Sequence, residues 1–254
     1  MTAVLVRRPG PRLAEGLITH ICRSEVDLDA ADRQWHAYVE ALATHGWRTI
    51  EVPPAPSDCP DSVFIEDTAV VYADVAVIAR SGAQQRRPET EAVEVALREA
   101  GYRIARIEAP GTLDGGDVLK HGGTVWVGLG GRTNAAGVAQ LREVLSTRGA
   151  EVIGVPVTKA LHLKSAVTAL PDGTIVGWPP VVDDPGWWPG FRAVPEEPGA
   201  HVVLLDATTV LLAASAPRTR ELLEGEGYRI VSVDISEFEK LEGCVTCLSI
   251  RLRG

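Results

Sequence analysis

The segment LEGCVTCLSIRLRG closes the chain and carries Cys244 and Cys247 at C-x-x-C spacing. Two thiols so placed suit a redox couple, half of a metal site, or one nucleophile beside a bystander. If 244–252 is extended, its side chains alternate between two faces. Cys244 then shares a face with Leu248, Ile250 and Leu252, while Cys247, Ser249 and Arg251 take the other. That reading points the sulfurs apart, against a disulfide. A thioredoxin-type pair belongs at a helix start after a strand, whereas here a strand follows. A zinc site wants about four close ligands, and neither Cys22, Cys59 nor the six histidines supply a matching pair. Cys244 reads as structural, and Cys247 as either a small buried hydrophobe or a nucleophile.

Other residue types that do chemistry are scattered. In LHLKSAVTAL, Leu161 and Leu163 fall opposite His162 and Lys164 if the segment is a strand, so His162 is either a satisfied structural histidine or an acid/base partner for a thiol. In PDSVFIEDTAVV, Asp61, Glu66 and Asp67 crowd the entry to an apolar strand. Charge there is costly unless it meets a cation, and paired carboxylates match the planar fork of a guanidinium. TLDGGDVL sets two glycines between Asp114 and Asp117, a corner that aims a carboxylate at something or merely turns a hairpin. Arg86 and Arg87 in QQRRPE and Arg132 in GGRTN could hold a carboxylate or face solvent.

Residues this far apart meet only if the fold converges, and the pattern repeats. Hairpin, helix and strand succeed one another in VFIEDTAVVYADVAVIAR–PETEAVEVALREAG–YRIARIEAP, and again after TLDGGDVL and after HVVLL. Gly122-Gly123 and Asp172-Gly173 separate β-branched runs as hairpin turns do. Val93, Leu97 and Ala100 keep helical spacing, Pro88 and Pro217 stand near helix starts, and Gly101, Gly149 and Gly227 follow helix ends. The fourth unit has a hairpin, but PPVVDDPGWWPGFRAVPEE has little helical character. The first unit has the strand AVLVRR, a helix with Leu28, Trp35, Val39 and Leu42 on one face, and the strand WRTIEVPP. It lacks a second hairpin strand, which CLSIRL can supply. The two chain ends then pair and close a ring of five units with a period of roughly 40–50 residues, a single domain over 1–254 around one central channel.

Composition agrees with a globular protein, at 45% apolar and 23% charged residues. A net charge of −9 argues against a sequence-independent grip on nucleic acid or anionic membrane and sits more easily with a cationic small molecule. HVVLL and TVLLAASA fall far short of the ~20 residues of a membrane span, and no signal-peptide core follows the N-terminal strand. A cytoplasmic location with four reduced cysteines is expected.

Taken in order, DSVFIEDTAVV, RSGAQQRRPETE, APGTLDGGDVL, GGRTNAAG, LHLKSAVTAL and SEFEKLEGCVTCLS resemble the dimethylarginine dimethylaminohydrolases of the pentein, or guanidine-modifying, superfamily. The resemblance covers essentially the whole chain. It implies a five-bladed α/β propeller and hydrolysis of Nω-methylated arginines to citrulline and a methylamine, with no metal or cofactor, in a monomer or homodimer. It also implies that Cys247 is the nucleophile, His162 the general acid/base and Asp114 its orienting partner. Glu66 and Asp67 are implied to hold the guanidinium, Asp61 and the Leu17 backbone the α-amino group, and Arg86 and Arg132 the carboxylate. An arginine or agmatine deiminase with the same residue set, or a non-catalytic ring-shaped binding protein, are the competing readings. With several acids near Cys247, the thiol should not ionise readily before a cationic substrate arrives.

Overall fold

A computed structural model describes residues 2–188 and 190–252. Its backbone forms five three-stranded sheets, each an antiparallel pair extended by a parallel third strand. In chain order the last four are Ala69–Tyr72, Val75–Ile78 and Arg103–Arg106; Val118–His121, Thr124–Leu129 and Glu151–Pro156; Val167–Ala169, Ile175–Gly177 and Arg192–Ala193; and Val202–Leu204, Thr209–Ala213 and Arg229–Val233. The remaining sheet joins both ends of the chain. Ile250–Leu252 runs antiparallel to Ala3–Val6, with Leu5 opposite Ile250, and Arg48–Glu51 extends it in parallel. This is the five-bladed α/β propeller anticipated from the repeats, closed as expected by the C-terminal strand.

Helices fill the grooves between successive sheets. Val93 and Leu97 of helix Glu91–Glu99 pack with Leu5 and Ile250 of the terminal sheet. Leu141 and Leu145 of helix Ala135–Ser146 pack with Val75 and Val77 of the sheet before their own, and Leu223 of helix Pro217–Gly225 packs with Val176. Helix Leu28–Thr44 starts at Asp27, whose carboxylate accepts from the Ala30 N–H. It buries Trp35, Tyr38 and Leu42 against Val203 and Leu211, while Leu28, expected on that face, is 40% exposed. The fourth unit lacks a groove-filling helix, as the Pro- and Trp-rich segment indicated. Trp188, stacked on Phe191, and Val182 fill the space against Leu119 and Val155 instead.

The sheets begin later than the sequence reading placed them. Ile65–Thr68, Gly115–Asp117, Leu163–Ala166 and Glu197–Ala200 are short helical turns, each leading into the first strand of its sheet. A fifth turn, through Cys247, precedes Ile250–Leu252. Polar residues sit at strand entries because these turns, and not the strands, carry them to the centre.

Candidate active site

Four of the five turns carry the chemically capable residues, and hydrogen bonds join them. The Glu66 N–H donates to the Cys247 carbonyl at 3.1 Å, the Gly116 N–H to Asp67 Oδ1 at 2.8 Å, and the Leu163 N–H to Asp117 Oδ1 at 2.9 Å. The paired glycines of LDGGD permit this proximity. A Cβ on Gly115 would stand 2.0 Å from the Glu66 carbonyl oxygen, and one on Gly116 would stand 2.6 Å from Asp67 Oδ1 and 2.7 Å from His162 Nδ1.

His162 caps the short helix Leu163–Ala166 from an extended backbone. Leu161 does not lie on the opposite face from it, as a strand would require, because both line the same cavity. The imidazole is 3% exposed, with Nε2 at 3.2 Å from Asp114 Oδ2 and 3.8 Å from Asp67 Oδ1. Burial by itself would lower its pKa. The charge of Asp67, the bond to Asp114 and the further charge of Asp117 outweigh burial and raise it to about 9. His162 is therefore an imidazolium at neutral pH. For Asp67 burial opposes ionisation, but His162 and Arg86 win and hold the carboxylate below its ordinary range. Asp117, which accepts from the Thr133 hydroxyl at 2.6 Å, is lifted to about 6, chiefly by burial. Asp67, Asp114 and His162 each bring one ligand-type atom within 4.8 Å of the others. They form an ion-pair network, with Arg86 facing Asp67 and Arg132 facing Asp114.

Seven of the nine expected residues, Leu17, Asp61, Asp67, Arg86, Arg132, His162 and Cys247, line one cavity of about 20 Å³ together with Phe64, Leu161 and Leu241–Gly243. Asp114 lies behind His162. Arg132 Nη1 is 3.5 Å from Asp114 Oδ2. Arg86 is more deeply committed: Nη1 donates to Asp67 at 2.6 Å, Nε and Nη2 to Glu89, and Nη2 also to the Asp61 and Phe64 carbonyls. Asp61, whose carboxyl burial pushes upward in pKa, accepts from the Leu17 N–H at 3.0 and 3.2 Å. Glu242 accepts from the N–H groups of Thr19, His20 and Ile21 and so ties that same loop down across the cavity.

Glu66 does not line that cavity; it lines a second one of about 270 Å³. One of its oxygens accepts from Lys164 Nζ and Arg251 Nη2, both at 2.6 Å, while Oε2 is buried with no hydrogen-bond partner. The larger cavity is lined by Glu66, Lys164, Thr246, Ser249 and Arg251 but holds neither the thiol pair nor the imidazole, so its size does not mark the chemistry. Lys164, Arg251 and Glu89 were not singled out as site residues. Arg251 alternates with two apolar residues on the final strand, and Glu89 follows Arg86 by three positions; these patterns could have flagged both.

The C-terminal pair departs most from expectation. Residues 244–248 form a turn, in which the Cys247 N–H donates to the Cys244 carbonyl at 3.0 Å. The sulfurs do not point apart: they are 3.2 Å from each other, and Cys244 Sγ is also 3.2 Å from the Thr246 hydroxyl. The S–H···S bond favours ionisation of one sulfur, bringing Cys244 down to about 5, and opposes ionisation of the second. Cys247 is held well above the ordinary thiol value by that bond, then by burial and by the charges of Glu66 and Asp67.

Comparison with known proteins places this geometry. The arginine deiminase family model matches residues 43–203. An N(G),N(G)-dimethylarginine dimethylaminohydrolase of Streptomyces coelicolor is 62% identical over 98% of this chain and 96% of its own length. The enzyme of that name from Pseudomonas aeruginosa is 34% identical, over 98% of both chains. A crystal structure of a dimethylarginine dimethylaminohydrolase histidine-to-glycine variant, as an adduct with S-methyl-L-thiocitrulline, superposes with a TM-score of 0.92 at 33% identity and covers 99% of this chain and 100% of that one. A cysteine-to-serine variant of the Pseudomonas aeruginosa protein complexed with citrulline gives 0.91 at 33% identity, over 98% of each chain.

Proposed function

The chain belongs to the dimethylarginine dimethylaminohydrolases, and from that premise we propose that it hydrolyses Nω-methylated L-arginine to L-citrulline and a methylamine. The observation that carries this reading is the convergence of Cys247, His162, Asp67, Asp61 and Arg132 on one cavity from turns of different sheets.

Asp67 and the free Oε2 of Glu66 fix the guanidinium plane and localise its charge. The substrate α-ammonium takes the place of the Leu17 N–H on Asp61, and Arg132 binds the carboxylate, assisted by the second Nη1 hydrogen of Arg86, which the bonds to Asp67, Glu89 and the Asp61 and Phe64 carbonyls leave over. A cavity of about 20 Å³ has room for about one water and no amino acid, so the Leu17–Ile21 loop opens to admit substrate. Bringing a cation beside Cys247 offsets the carboxylates that oppose its ionisation. The thiolate attacks the guanidinium carbon, and the imidazolium of His162 protonates the departing amine. A water that His162 then deprotonates hydrolyses the covalent thiouronium.

The decisive assay incubates the purified protein separately with asymmetric dimethylarginine and with arginine, and measures citrulline and the amine released. Dimethylamine from the first, with little ammonia from the second, supports the reading. The reverse pattern makes the chain an arginine deiminase, the activity whose family model it matches. The cysteines, all four unpaired, favour the reducing cytoplasm, and no helix among the described residues is long and apolar enough to cross a membrane.

A further inference from the structure

Cys244 has no task in the proposed reaction, yet its sulfur lies closer to Cys247 than simple packing of a core residue requires. We propose that Cys244 is a resolving cysteine: peroxide oxidises Cys247, and Cys244 captures the oxidised sulfur as a reversible Cys244–Cys247 disulfide that protects the nucleophile and switches the enzyme off.

Three observations support the site. The sulfurs are 3.2 Å apart and need close by only roughly 1.2 Å to reach the ~2.05 Å of a disulfide. The backbone is already folded for it, since the bond from the Cys247 N–H to the Cys244 carbonyl closes a four-residue turn. The ends of such a turn lie under about 7 Å apart, within the reach of a disulfide. Finally, Cys247 lines the cavity that also holds His162 and Asp67, whereas Cys244, in the same apolar cluster, is 3% exposed and does not line it. Oxidant thus meets Cys247 first, and Cys244 is shielded behind it. The S–H···S bond makes Cys244 the readily ionised sulfur, so a nucleophilic Cys247 forms when its proton crosses the 3.2 Å contact to Cys244. Cys59 is no competitor in reactivity, because burial and two acids push its thiol up to about 11.

The chemistry balances. Cys247 passes its proton to the Cys244 sulfur across the 3.2 Å contact and attacks one oxygen of hydrogen peroxide; the O–O bond breaks, hydroxide leaves, and the Cys247 sulfur becomes a sulfenic acid. Cys244 then attacks that sulfur, the S–S bond forms, and the sulfenic oxygen departs as hydroxide. With the two thiol protons counted, two thiols and one peroxide give one disulfide and two waters. A thiol reductant reverses the step.

The bond chemistry depends only on the thiols, whereas its effect on activity rests on the assigned role of Cys247. The test therefore reads mass as well as turnover. Purified protein is treated with a small molar excess of hydrogen peroxide, mapped by non-reducing peptide mass spectrometry, and assayed for citrulline before and after dithiothreitol. We expect a loss of two hydrogens, a Cys244–Cys247 cross-linked peptide, loss of citrulline production and its return with the reductant. Cys244→Ser should instead gain two or three oxygens on Cys247 and stay inactive after dithiothreitol. Wild-type protein that gains oxygen on Cys247 while Cys244 remains a free thiol overturns the proposal, as does resistance of both thiols to peroxide. A cross-link without loss of activity leaves the disulfide standing and overturns the nucleophile assignment and the switch.

Discussion

Replacing Asp114 by Asn tests whether His162 is kept charged by the carboxylates behind it. Asp114 is 0% exposed and accepts from the Gly82 N–H and from His162 Nε2, each at 3.2 Å. An amide has one acceptor oxygen, so one of those bonds is lost, and the negative charge is lost in either orientation. A hydrogen bond to a charged group contributes about 1.5–3 kcal/mol, and one pKa unit is about 1.4 kcal/mol. His162 should therefore fall from about 9 to roughly 7–8, with Asp67 and Asp117 still holding it above the unperturbed imidazole. Because the protonated ring serves the leaving amine, the alkaline limb of kcat should shift down by the same amount. The stability consequence has a definite sign. A folded-state pKa above the unfolded value of about 6.5 gives stability that is fully present below that pH and lost as pH rises through about 9. The gap amounts to about 3 kcal/mol in the parent and roughly half that or less in Asp114→Asn. NMR titration of the ¹⁵N-labelled His162 ring gives the pKa directly, and urea unfolding at acid and alkaline pH gives the linkage. A His162 that titrates within about half a unit of the parent would refute this account of its charge.

The other predictions use the same geometry. Cys247→Ser should abolish citrulline formation while leaving the urea midpoint nearly unchanged, since the substitution is small and the Cys247 backbone bonds remain. Arg86→Ala strands the buried Asp67 and Glu89 carboxylates and should cost about 3–5 kcal/mol by urea unfolding. Arg132→Ala, at a site with a single 3.5 Å ion contact, should instead raise KM with little loss of stability. Gly116→Ala drives a methyl into Asp67 and His162 and should lower kcat by roughly 10²-fold, the scale of a 1 Å misplacement of a catalytic group. Glu242→Ala releases the N–H groups of Thr19, His20 and Ile21, so amide hydrogen exchange at those three positions should accelerate.

Much of this arrangement could be read from residue order because its causes are local. Helix Glu91–Glu99 follows from apolar spacing and the glycine after it, and the pairing of Ile250–Leu252 with Ala3–Val6 follows from a first unit short of one strand. What could not be read is where each turn gives way to its strand. VFIEDTAVV and LHLKSAVTAL both have strand-like composition, and no local signal shows that Ile65–Thr68 and Leu163–Ala166 must coil to bring Asp67 and His162 to the centre. That coiling is set by contacts with other units, such as the Glu66 N–H on the Cys247 carbonyl and the Leu163 N–H on Asp117. A tertiary contact overrides local propensity there.

The same cause explains why C-x-x-C departs from strand alternation. Alternation holds only for an extended chain, and residues 244–248 turn because the strand that follows must enter beside Ala3–Val6 while Cys247 stays within reach of His162 and Asp67. Turning the chain within four residues brings the backbones of the first and last residues of CVTC near one another. The nearness of residues 244 and 247 thus comes with delivering one nucleophile to the centre of a ring, whereas the 3.2 Å approach of two sulfurs is particular to a thiol at 244. A second thiol at that position adds reactivity that the turn does not require, which is why the oxidised state of the pair is the informative measurement.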